Sequence, residues 1–240
     1  MAAPVNRSPP VPVDGGPACP APWLFPPTCL VCGEPGLQGR DLCRACLAAL
    51  PWQGPACPRC ALPTAEGRMC ATCRRQPPPL AAVHATFAYL FPLDRLLPRL
   101  KFHADLAAGR VLAQCMAGAL AAVERPQALV AIPLHPARLR RRGYDQAREL
   151  AAPLARLLGL PLREGALWRT RATTAQSQLD AAARRRNLAE AFAAAPGALP
   201  AHVALVDDVM TTGATLHAAA RALHAAGVAR VDAWVCARAV

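Results

Sequence analysis

Downstream of residue 80 the chain alternates two hydrophobic patterns. Residues 83–90, 128–132, 201–206 and 228–237 are short apolar runs, the second stopped by Pro133, and such runs suit buried strands. Between them lie longer, alanine-rich segments with apolar residues three and four apart: 105–124, 144–158 despite Pro153, and 215–226, which Gly227 ends. These predict helices, with Gly213 just ahead of the last one. Strands alternating with helices point to an α/β fold, a mostly parallel sheet with flanking helices.

Upstream the pattern is different. The first 22 residues hold seven prolines and no continuous apolar core of the kind a secretory signal needs, so residues 1–27 are expected to form a disordered Pro-rich arm. Residues 28–75 carry four pairs of cysteines among Gly, Pro and Arg. Gln76-Pro77-Pro78-Pro79 supplies a stiff spacer, placing a linker at 76–80 and an α/β domain at 81–240. At 240 residues there is room for one medium α/β domain and a small satellite, not for two catalytic domains. The longest apolar stretches, such as 111–123 between Arg110 and Glu124, are too short to span a bilayer, so no membrane insertion is expected.

Eleven cysteines in a chain without an export signal argue against a disulfide framework and for a cytoplasmic, reduced protein whose thiols bind metal. The pairs Cys29/Cys32, Cys43/Cys46, Cys57/Cys60 and Cys70/Cys73 are Cys-x-x-Cys knuckles separated by ten, ten and nine residues. Each knuckle presents two thiolates on one side of a tight turn, and two knuckles close a tetrahedral site with no position left for water. The expectation is two structural zinc ions, the first knuckle joining the second and the third joining the fourth. Spacing leaves an interleaved pairing open, and a redox dithiol module is the competing reading. So few large apolar residues lie between the knuckles that metal binding must supply much of this segment's folding free energy. Cys19, Cys115 and Cys236 stand outside the pattern, one as an arm residue and two as small buried apolar groups.

The formal charge is +12. Eight zinc-bound thiolates and two divalent ions would together lower it to about +8. A basic surface suits an anionic ligand or a nucleic acid. All the basic residues except Lys101 are Arg, a bias that suggests a GC-rich genome and makes the single Lys a candidate for a position needing a compact, flexible charge.

Residues 203–216, Val-Ala-Leu-Val-Asp-Asp-Val-Met-Thr-Thr-Gly-Ala-Thr-Leu, run from a buried strand into two acids, a small-residue loop and a helix. Backbone N–H groups at a helix N-terminus converge on an anion, and the hydroxyls of Thr211, Thr212 and Thr215 can add donors. Gly213 permits close approach, while Asp207 and Asp208 can accept from vicinal hydroxyls such as those of a ribose. No Gly-x-x-x-x-Gly-Lys or Gly-x-Gly-x-x-Gly competes for a nucleotide. A second candidate follows Pro133, where Arg138, Arg140, Arg141 and Arg142 fall within five residues ahead of Gly143. Arginine forks grip phosphate oxygens in a bidentate manner, although a solvated basic loop would look the same.

Residues 206–215 resemble the motif by which type I phosphoribosyltransferases bind phosphoribosyl pyrophosphate (PRPP). Three further segments resemble the ComF family: Leu100-Lys101-Phe102-His103-Ala104-Asp105; Arg142-Gly143-Tyr144-Asp145-Gln146, with Asp145 where the family usually has Asn; and Gln176-Ser177 leading to Arg184-Arg185-Arg186-Asn187-Leu188. The resemblance covers nearly everything from Thr28 onward. It implies a double zinc ribbon ahead of a type I phosphoribosyltransferase-like domain, with Asp207 and Asp208 on the ribose hydroxyls and Thr211, Thr212, Gly213, Ala214 and Thr215 on the 5-phosphate. By the same resemblance Arg138, Arg141, Arg142 and Gly143 meet the pyrophosphate with Lys101, while Thr174, Gln176 and Ser177 lie on a mobile covering loop. Magnesium would accompany PRPP.

Family membership further implies a link to uptake of single-stranded DNA in natural transformation, with DNA and competence-machinery proteins as partners. The alternatives are an accessory protein that senses PRPP without turnover, or one that binds DNA directly. At 5% aromatic content, DNA contacts would rest on phosphates rather than on stacked bases. Nothing in the residues identifies an acceptor for the ribose.

Overall fold

The computed structural model describes residues 26–37, 39–170, 191–195, 197 and 199–239. Its centre is a four-stranded sheet in the order β1-β6-β5-β2: β1 Val83–Ala88, β2 Ala128–Ala131, β5 His202–Met210 and β6 Arg230–Arg238. All three pairings are parallel, and β5 meets β6 in a register that sets Val206 opposite Trp234 and Asp207 opposite Val235. The expected parallel α/β architecture is present.

Alternation along the strands divides the core in two. On one face Ala204, Val206, Trp234 and Cys236 pack with α3 (Leu93–Phe102), α4 (Leu106–Leu120) and α6 (Gln146–Leu158). On the other, Val203, Leu205, Val231 and Val235 pack with α7 (Ala214–Ala225) and with a hairpin of β3 (Leu167–Arg169) and β4 (Phe192–Ala194). α4 starts at Asp105, whose Oδ1 accepts the Ala108 N–H at 3.0 Å, and turns Ala108, Val111, Leu112, Cys115 and Met116 inward. Burying a Leu or Met of this kind contributes roughly 1.5–3 kcal/mol. Cys115 and Cys236 are buried core residues, as expected; Cys19 lies outside the described residues.

The cysteine-rich segment, with its short helices α1 (Arg44–Ala48) and α2 (Ala71–Arg75), packs directly against the sheet domain. Trp52 bridges Phe87 in antiparallel fashion, Gln53 N–H donates to Thr86 O at 2.9 Å and Ala88 N–H to Pro51 O at 2.9 Å, so the free edge of β1 is covered. Arg99 Nη1 donates to Leu30 O at 2.8 Å, and Cys29, Leu42 and Leu50 join the core beneath α3 and α4.

The structure corrects two expectations and adds two elements. The strand predicted at 201–206 continues through both acids to Met210. The arginine loop is a helix, α5 (Pro136–Arg142), because Pro136 sits at its first turn, His135 Nδ1 caps Ala137 N–H, and Gly143 closes it in the left-handed region at φ 85°. Of the added elements, α3 leaves no clear helical pattern in the sequence, since Pro92 and Pro98 obscure its periodicity. The β3–β4 hairpin is too short to show as a run.

Candidate functional site

Asp207 and Asp208 lie at the C-terminal end of β5 and are 8% and 4% exposed. Strand alternation starts them from opposite faces, and each carboxylate accepts from the N–H of the next residue: Asp207 Oδ1 from Asp208 N–H and Asp208 Oδ1 from Val209 N–H, each at 2.9 Å. Lys101, in the last turn of α3, places Nζ 2.9 Å from Asp208 Oδ2. Burial pushes the Asp207 carboxyl well above the ordinary carboxylate range, the neighbouring Asp208 adds to the rise, and Lys101 opposes it. The Asp207 carboxyl is thus biased toward its protonated form, beside an acid that Lys101 contacts.

Beyond Met210 the chain makes the expected loop into a helix. Thr211 and Thr212 are exposed, Gly213 is buried, Ala214 opens α7, and Thr215 is half-buried in its first turn. Gly213 adopts φ 78°, and a Cβ there would fall 2.5 Å from Met210 Cε and 3.2 Å from His217 Nε2. Only glycine fits without strain. His217 Nε2 has no hydrogen-bond partner among the described residues, and burial, then Arg221, lowers the ring's pKa. Gly213 offers no side chain to cap α7, and the helix dipole at this end favours an anion.

The arginine helix reaches the same corner. Arg142 hydrogen-bonds Gln146 Oε1 and sets its guanidinium carbon 5.5 Å from the Phe102 ring centroid, next to Lys101. Arg138 and Asp207 both influence Arg169 of β3, which burial and then Arg138 make less basic and Asp207 more so. Arg169 stacks on Phe192 at 5.0 Å, and its Nε is buried without a partner among the described residues. Sequence reasoning missed it, because one Arg in an Arg-rich chain carries no signal. Arg141 is exposed in the last turn of α5. Thr174, Gln176 and Ser177 lie outside the described residues.

Asp145 also acquires a role. Its Oδ1 accepts the N–H groups of Ala147 at 3.0 Å and Arg148 at 3.3 Å, capping α6, while Oδ2 accepts Leu134 N–H at 2.8 Å. A carboxylate has two acceptor oxygens for these three donors, which accounts for Asp at a position where Asn is usual.

The eight knuckle cysteines gather into two groups, Cys29/Cys32/Cys43/Cys46 and Cys57/Cys60/Cys70/Cys73, each with its sulfurs within 4.8 Å of one another. The sequential pairing holds. Cys32 Sγ and Cys43 Sγ are 3.7 Å apart, as are Cys60 Sγ and Cys70 Sγ. A tetrahedron with Zn–S bonds of about 2.3 Å has an edge of about 3.8 Å, so both cages fit zinc. Burial tends to raise the Cys29 thiol, yet backbone N–H groups of Cys43, Cys32 and Val31 bring it down to about 6; burial and the adjacent sulfurs push Cys46 and Cys73 up. Four thiolates this close need a cation to neutralise them.

Comparison with known proteins agrees with both halves of this description. Residues 21–74 match the double zinc ribbon domain and residues 145–239 the phosphoribosyl transferase domain. The chain is 35% identical over 221 residues to DNA utilization protein YhgH of Salmonella typhimurium, covering 89% of this chain and 97% of that one. The Escherichia coli K12 protein of the same name is 33% identical over the same shares. Competence protein F of Haemophilus influenzae is 36% identical over 179 residues, 71% of this chain and 78% of that one. No helix among the described residues is long and apolar enough to cross a membrane. With two structural zinc cages, a parallel phosphoribosyltransferase-like sheet and relatives matched along most of its length, the chain belongs to the ComF family.

Proposed function

We propose that this protein binds PRPP with magnesium at the C-terminal edge of its sheet and serves, in the cytoplasm, the handling of single-stranded DNA during natural transformation. One observation carries the PRPP reading: the buried acid pair, Lys101 and the glycine-capped N-terminus of α7 converge at the end of β5. In this reading Asp207 and Asp208 take the ribose hydroxyls. The hydroxyls and N–H groups of residues 211–215 take the 5-phosphate, at the positive end of the helix dipole. Arg138, Arg141 and Arg142, with the Gly143 backbone, meet the pyrophosphate, and Lys101 exchanges Asp208 for a phosphate oxygen.

Magnesium suits the hard carboxylate oxygens of this corner and supplies charge neutralisation on the pyrophosphate when bound. Transfer breaks the bond between the anomeric carbon and the pyrophosphate oxygen as an acceptor nitrogen attacks that carbon. The residues described here stabilise the departing charge. The link to DNA rests on the relatives' names, DNA utilization protein and competence protein, and on the basic balance of the chain.

Calorimetry with PRPP and magnesium tests the reading. Binding that Asp207→Ala/Asp208→Ala abolishes supports it, whereas no binding, or binding the double variant leaves unchanged, removes it. Release of pyrophosphate with candidate acceptors separates a transferase from a sensor. Oligonucleotide affinity that falls steeply with salt, together with a transformation defect on deletion, assigns the DNA role.

A further inference from the structure

Arg238, near the end of β6, is 5% exposed and joins two parts of the molecule. Its Nε donates to the carbonyl of Cys60, in the third knuckle, at 2.8 Å. Its Nη1 donates to the carbonyl of Met210, the last residue of β5, at 2.9 Å. The Met210 carbonyl also accepts Ala239 N–H at 3.0 Å, while the Met210 side chain lies against Gly213. A continuous path of polar and packing contacts therefore runs from a zinc ligand's own peptide to the cap of α7.

The knuckle end of this path has a constrained backbone. Ala61 holds φ 54°, in the left-handed region that a side chain disfavours, and is 2% exposed. Cys57 N–H donates to Leu62 O and Ala61 N–H to Cys57 O, both at 2.8 Å, and Gln53 Nε2 reaches Ala61 O at 3.5 Å. Strain of this kind persists only where the surroundings over-determine it. In the second cage the metal would be the strongest such restraint, because four thiolates cannot close without it. In this closed knuckle the Cys60 carbonyl points at Arg238.

We infer that Arg238 is a positioning residue through which the second zinc cage sets the geometry of the 211–215 anion loop. The guanidinium suits this role since its planar fork serves two carbonyls at once, which a Lys ammonium on a flexible stem does not reproduce. The inference rests on the PRPP reading of that loop. By linkage the effect runs both ways: occupancy of the loop steadies the knuckle as the knuckle steadies the loop.

The test uses full-length, zinc-loaded protein. Hydrogen-exchange mass spectrometry is run with and without PRPP plus magnesium, alongside calorimetry, on the wild type and on Arg238→Lys. In the wild type, PRPP slows exchange in peptides spanning residues 57–62 and leaves those spanning 29–34 unchanged. In Arg238→Lys the slowing disappears and PRPP binds on the order of tenfold more weakly, with both zinc ions retained. A merely structural Arg238 would alter exchange equally with and without ligand. Absence of PRPP binding in the wild type overturns the binding reading and this inference with it. Binding that Arg238→Lys leaves at full strength overturns the bridge alone. Should Arg238→Lys not fold, the wild-type comparison of the two cages decides, and equal slowing at both rejects the path.

Discussion

Lys101 Nζ stands 2.9 Å from Asp208 Oδ2, tying the last turn of α3 to the C-terminal end of β5. The single Lys of the chain thus faces a buried acid at the end of the strand that leads into α7. Lys101→Met leaves that carboxylate without its cation. The expected loss is about 1–2 kcal/mol, discounted because the Lys side chain is one-third exposed. Lys101→Met/Asp208→Asn recovers most of it in a double-mutant cycle of denaturant unfolding. If the double variant is as unstable as the sum of the singles, the pair is not coupled.

Asp207 predicts a pH dependence whose sign runs opposite to the usual carboxylate case. Its folded pKa lies above the unfolded one, so the native state holds the proton more tightly in the interval between them. Stability from this group is present below the unfolded pKa and declines as pH rises toward the folded one, by at most about 1.4 kcal/mol per pH unit. Asp207→Asn removes the titration. Its Tm should exceed that of the wild type by a margin that grows with pH above the ordinary carboxylate range; a constant margin contradicts the protonation account.

Asp145 caps α6 and anchors Leu134 with both carboxylate oxygens. Asp145→Asn offers one acceptor oxygen, so at least one of the three N–H groups loses its partner. Chemical denaturation should register a loss of about 1 kcal/mol. An unchanged midpoint contradicts the account in which both Asp145 oxygens are needed for these three donors.

Elemental analysis of the purified protein should find about two zinc ions per chain. Cys57→Ser should release the second ion and Cys115→Ala neither, because Cys57 belongs to a four-sulfur cage while Cys115 packs among the apolar residues of α4. Two ions retained in Cys57→Ser would break the correspondence between cages and metal.

Local chemistry accounts for what could be read directly. Paired thiols with two residues between them can form a knuckle without help from distant parts of the chain, so the metal ligands were legible, and the order of knuckles along a short segment favoured sequential cages. The acid pair, small loop and helix start of residues 207–215 form one continuous backbone feature, legible for the same reason. The parallel sheet followed from strands alternating with helices. Less legible were α3, obscured by two prolines, and α5, whose arginines resemble a solvated loop until His135 and Gly143 are seen to cap it.

By itself, then, the sequence determined the zinc ligands, the α/β class and the anion-loop motif, because each depends on residues near one another in the chain. Only the tertiary structure decided that Lys101 faces Asp208 across more than a hundred residues, that Arg169 stacks on Phe192, and that Arg238 joins the third knuckle to Met210. Those relationships arise when the two faces of the sheet are packed and its strands brought into register, and no local pattern encodes a contact made by that packing.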